Sequence, residues 1–167
     1  AECTQMSSLL GLQLYAEYTF SSDVSMELLK DRFAACTGED MDAFLALSRM
    51  DVLEEAPAGD SLPPDESYAT RELLYNDVLL DLYGKNYENC NLREHYQELS
   101  GKLKAYGEKS PGCREIFAAS SLLADFMTDK CGISSQLRKA YEAGDRKTLK
   151  ELADVTLPAL IRKVEAL

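Results

Sequence analysis

One histidine, five cysteines and 29 acidic side chains set the limits of what chemistry this 167-residue chain could carry. The histidine is His95, next to Glu94 in a helical pattern. A Ser-His-Asp or Cys-His nucleophile would have to use this one residue, and no partner motif lies near it. Its place in the pattern predicts a ring facing solvent or a packing edge. A di-iron centre between helices needs paired Glu and Glu-x-x-His motifs, and neither copy occurs. Zinc needs more His or closer-spaced Cys. Cys3, Cys36, Cys90, Cys113 and Cys131 include no Cys-x-x-Cys pair. There is no G-x-x-x-x-G-K-[ST] loop and no G-x-G-x-x-G turn for nucleotide phosphates. The expectation is therefore no metal and no cofactor.

Carboxylates are abundant, and paired carboxyl groups at a defined separation are what most glycoside hydrolysis requires. Two adjacent pairs stand out, Glu39-Asp40 and Asp65-Glu66. The first reads as a helix start, where acidic side chains complement the helix dipole. The second follows Pro63-Pro64 in an acidic loop. Neither is expected to be catalytic. The nine tyrosines could suggest a sugar platform. The simpler reading puts Tyr15, Tyr96, Tyr106 and Tyr141 on core seams with their hydroxyls reaching water.

Hydrophobic residues make up 46% of the chain, enough for a real core, and the net charge is −11. The negative charge argues against a nucleic-acid partner, which would call for a basic footprint. The charge is uneven. Residues 1–100 carry 6 basic and 20 acidic side chains, net −14, and residues 101–167 carry 12 and 9, net +3. Reduced cysteines in apolar helical patterns fit a cytoplasmic protein. No stretch resembles a signal peptide or a membrane span. Ala1-Glu2-Cys3 is an abrupt opening, and the amphipathic run to Leu167 has no capping glycine after it, so a longer natural polypeptide is expected.

Almost everything that must position these residues reads as helix. Leu10, Leu14, Tyr15 and Tyr18 mark one face of a first helix. Met26, Leu29, Phe33 and Cys36 mark a second, stopped by Gly38. Asp40 can cap a third through Met41, Phe44 and Leu45. Pro57, Gly59, Pro63 and Pro64 punctuate a linker over 48–70, followed by a compact apolar piece from Leu73 to Tyr83. Leu92, Tyr96, Leu99, Leu103 and Tyr106 form a seam. Ser110-Pro111-Gly112 makes a turn into one long helix carrying Ile116, Ser120, Leu123, Met127, Cys131, Leu137 and Tyr141. Gly132 weakens that helix from within. Gly144-Asp145 starts a last helix lined by Leu149, Leu152, Thr156, Leu160, Val164 and Leu167, which Pro158 should kink.

Several segments, in order, resemble one family. Glu2-Cys3 with Leu9-Leu10-Gly11-Leu12-Gln13-Leu14-Tyr15-Ala16-Glu17 is similar to the stretch after the last barrel strand in a bacterial branch of family 20 glycoside hydrolases. Leu29 to Gly38, ending in Cys36-Thr37-Gly38, resembles that branch's next helix and its stop. Leu74-Tyr75-Asn76-Asp77-Val78-Leu79-Leu80 resembles a Leu-Tyr-Asn-Asp segment. Leu137 to Arg146 and Leu157 to Leu167 resemble its C-terminal helical domain.

The resemblance implies an exo-β-N-acetylhexosaminidase that removes terminal N-acetylhexosamine residues. Its catalytic Asp-Glu pair would lie upstream, on a (β/α)8 barrel, where active sites occupy loops at the strand ends. It implies one pocket residue here, Glu2, hydrogen bonded to sugar hydroxyls. The expected fold is all-α: barrel helix and extension over 1–47, an acidic linker with a short helix over 48–87, and an antiparallel three-helix bundle over 88–167. The expected partners are the protein's own barrel and a second copy, with carbohydrate bound only by the full-length enzyme. Alone, the chain is expected to be inactive. The alternative is a free-standing helical module that binds an amphipathic partner helix.

Overall fold

The computed structural model describes residues 8–53 and 69–165. All regular structure in them is helical. Helices α1 (Leu9–Phe20), α2 (Met26–Thr37) and α3 (Met41–Ser48) come first. A short α4 (Ala69–Tyr75) and a 3-10 turn (Gly84–Tyr87) lead to the long helices α5 (Leu92–Lys109) and α6 (Arg114–Lys130). Then come α7 (Ile133–Glu142), α8 (Arg146–Glu151), a π turn (Leu152–Thr156) and α9 (Leu157–Glu165).

Local chemistry sets many of the helix ends. The Ser25 hydroxyl accepts the Leu28 N–H at 3.2 Å and starts α2. Gly38 ends it at φ 73°, a left-handed conformation that glycine adopts without a Cβ clash. Asp40 accepts the Asp42 N–H at 2.9 Å at the head of α3. Asp145 accepts from Lys147 and Thr148 after Gly144 at φ 66°. The Thr148 hydroxyl, which also donates to Asp145, and then these backbone bonds hold the Asp145 carboxyl below its usual range.

Helices α5 and α6 pack together at the centre of the core. Tyr96, Leu99 and Leu103 are buried on α5, and Phe117, Ala124 and Met127 on α6. Small residues let the two backbones approach. A Cβ on Gly107 would lie 3.1 Å from Phe117 Cβ. Ser100 and Ser121 each donate to the other's carbonyl, at 3.0 and 2.9 Å. Phe117 also meets Phe44 of α3 edge-on at 5.5 Å, and Phe44 meets Phe33 of α2 at 5.2 Å. One cluster thus runs from α2 through α6, and it includes Ala69 and Leu73 of α4.

Three sequence expectations change. The single long helix after Pro111 is two, because the chain turns at Cys131-Gly132 between α6 and α7. Its buried residues follow Phe117, Ser121, Ala124 and Met127, while Tyr141 is exposed. A π turn, in which Leu157 N–H donates to Leu152 O, immediately precedes Pro158 in the last helix. Proline offers no N–H to the carbonyl four residues back, and the wider turn accommodates this. Tyr15, Tyr18, Met26 and Cys36 point outward, not onto the expected faces. Tyr96 does not reach water: it is fully buried, and its hydroxyl donates to Met50 O at 3.1 Å. Most of the linker, residues 54–68, lies outside the described residues, as does Leu167.

Candidate functional site

The residues that sequence reading singled out do not converge. His95 is half-buried on α5, with Nε2 2.8 Å from the Arg49 carbonyl. A carbonyl only accepts, so Nε2 carries the proton and the ring tethers α5 to the end of α3. Its edge packs against Tyr96 at 5.1 Å. A cleft of about 180 Å³ opens beside it, lined by Leu53, Cys90, Glu94 and Glu98 among others. Among the described residues the imidazole's partners are the Arg49 carbonyl and the Tyr96 ring.

Glu39 and Asp40 do different jobs. Asp40 caps α3, whereas Glu39 is buried under the turn between α5 and α6, beside Cys113. Burial and the nearby Glu39 carboxylate push the Cys113 thiol up. The other buried carboxylate among the described residues is Glu17. It accepts from Gln13 at 2.7 Å and pairs with Arg32, joining α1 to α2. Neither buried carboxylate lines the His95 cleft or the larger groove described below. Asp65-Glu66, Cys3 and Glu2 lie outside the described residues. Burial pushes the Cys131 thiol up to about 12, so it stays protonated and unreactive. Among the described residues no three His, Cys, Asp or Glu side chains are grouped to hold a metal ion.

The most organised polar cluster was not anticipated. It scaffolds the turn from Asn76 to Gly84. The Asp77 carboxylate accepts the N–H groups of Leu79 and Leu80 at 2.8 and 2.9 Å. Those two bonds, that from Leu80 the stronger, lower its pKa. Asp81 sits at φ 48°, the one positive φ outside glycine among the described residues. Its carboxylate accepts from Asn76 at 2.8 Å and from Arg138 of α7 at 2.9 Å. Lys130 donates to the carbonyls of Leu73 and Asn76 at 2.7 and 3.0 Å, closing the C-terminal end of α4. Burial holds its pKa below the ordinary lysine value. A groove of about 610 Å³ runs between this turn and α7, bordered by Asp81, Tyr87, Arg93, Arg138 and Glu142. The signal available in the sequence was the turn chemistry of Asn-Asp followed by Gly. The partners Lys130 and Arg138 lie 54 and 57 residues away, beyond any local pattern.

Among the described residues the chain is all-helical, and Glu17, Arg32, Asp81, Lys130, Arg138 and Lys163 make polar bonds between its helices and turns. The family model for the Glycoside Hydrolase 20C C-terminal domain matches residues 42–167. The chain belongs to that family: it is a helical C-terminal part of a family 20 glycoside hydrolase. No curated protein matches it. No helix among the described residues is long and apolar enough to cross a membrane.

Proposed function

We propose that this chain is the non-catalytic helical part of a cytoplasmic exo-β-N-acetylhexosaminidase and packs against the enzyme's own upstream (β/α)8 barrel. The observation that carries this reading is α1. Its sequence, Leu9 to Phe20, is apolar on nearly every side, and the one residue it fully buries is Glu17. Leu10 and Leu14 rest on the core, yet Tyr15 is 74% exposed and Phe20 94%. A helix apolar all round belongs between two bodies. Residues 8–41 also precede the matched region, as they would if α1 were the last barrel helix. In this reading, hydrolysis uses barrel carboxylates, and Glu2 reaches the sugar hydroxyls from the barrel side.

The test is a Tyr15→Asp, Tyr18→Asp double variant, made both in the isolated chain and in the parent enzyme. Both side chains are exposed here, so the isolated chain should melt as the wild type does. The parent should lose several degrees of thermal stability. An unchanged parent would refute barrel packing through α1. A loss of dimer in the isolated chain would assign the face to a second copy instead.

A further inference from the structure

Resting on that reading, we infer that Tyr75 at the end of α4 and the turn after it, with Leu79, Leu80 and Leu82, form a second docking element, seated in an apolar recess of the upstream catalytic domain of the same polypeptide. These four side chains are 77%, 73%, 68% and 69% exposed. Their neighbours Leu74 and Val78 face the core, so the turn is anchored on one side and bare on the other. The scaffold that presents it is elaborate. Asp77 ties down two N–H groups, Asp81 adopts a left-handed backbone conformation, and Lys130 and Arg138 reach across from α6 and α7. A conformation unfavourable for a residue with a Cβ persists only where its surroundings enforce it. Here those surroundings hold three leucines in water.

Area selects the occupant. The four exposed side chains offer about 400 Å² of apolar surface. A stable dimer needs roughly 800 Å² per partner. Interfaces between domains of one chain need only about 600–1,500 Å² in total, because the covalent link keeps the effective concentration high. The patch fits the second class. The recess must be apolar to accept leucines, with room for acceptors near the Tyr75 hydroxyl.

Hydroxyl-radical footprinting of the isolated chain and the parent enzyme, each at several concentrations, tests this. In the parent, labelling of Leu79, Leu80 and Leu82 should fall roughly tenfold, the scale of the difference between their exposure and that of a core leucine such as Leu73. The protection should not depend on concentration. Equal labelling in both proteins would overturn the inference. If Tyr15 and Tyr18 were protected in that case, barrel packing would stand and only the docking turn would fall. If they were labelled as well, the underlying reading would fall with it. Protection that grows with concentration would put a second copy on the turn, which also overturns the inference. A Leu79→Ser, Leu80→Ser variant checks the same point. It should leave the isolated chain's melting temperature unchanged and lower the parent's.

Discussion

The Met50 carbonyl joins three parts of the molecule, and breaking that joint in steps gives a sharp prediction. Met50 follows α3, and its buried carbonyl accepts the Tyr96 hydroxyl of α5 at 3.1 Å and the Thr70 hydroxyl of α4. Burial raises the Tyr96 pKa, so the hydroxyl remains a donor at any working pH. Tyr96→Phe removes one donor and should cost about 1 kcal/mol, the net worth of a typical hydrogen bond. Thr70→Val should cost about the same, since the carbonyl again keeps one partner. The double variant leaves a buried acceptor with neither hydroxyl, which adds a desolvation penalty of roughly 1–3 kcal/mol. The pair should therefore cost about 3–5 kcal/mol, not about 2. Urea unfolding followed by circular dichroism measures all four corners of the cycle, with equal denaturant slopes as the check that only stability changed. Additivity within about 0.5 kcal/mol would refute the shared-acceptor account.

Three further expectations follow from other contacts. Gly84→Ala places a Cβ 2.4 Å from the Asp81 carboxylate oxygens; the carboxylate must swing off Asn76 and Arg138, and urea unfolding should show a loss of about 1–3 kcal/mol. At the α1–α2 junction the two partners are unequal, because Glu17 is buried and Arg32 is half-exposed. Arg32→Ala strands a carboxylate in the interior and should lower the melting temperature more than Glu17→Gln; the reverse order would contradict the assignment. Burial pulls the Lys163 pKa down, but its bonds to Asp125 and Asp129 outweigh that and leave it raised above 10.5. A group raised in the folded state stabilises fully below its unfolded value and loses this as pH climbs through the folded one. The stability gap between wild type and Lys163→Met should thus be flat near neutral pH and shrink only above 10.5.

Features set by local backbone chemistry were legible in the sequence. Gly38, Asp40, Gly144 and Asp145 stop and cap helices as their residue types demand. The seam of α5 was legible too, since Tyr96, Leu99 and Leu103 recur at helical spacing and are buried. Features set by distant partners were not. The sequence shows only a compact apolar piece from Leu73 to Tyr83, and it does not reveal that Leu79, Leu80 and Leu82 stay exposed above a polar scaffold. Gly132 reads as a weak point in a helix, and at Cys131-Gly132 the helix is interrupted, so that α6 ends at Lys130 and α7 starts at Ile133. Glu39 reads as a helix-dipole residue, but the turn between α5 and α6 covers it. The family could be read from ordered motifs, and the match over residues 42–167 establishes it.

The most direct test of the central claim is hydrolysis of a chromogenic N-acetyl-β-hexosaminide by two proteins assayed side by side, this chain alone and the parent polypeptide with its upstream region. The account predicts no turnover by the chain and robust turnover by the parent. Hydrolysis by residues 1–167 alone, or an inactive parent whose upstream region lacks an Asp-Glu pair, would contradict it.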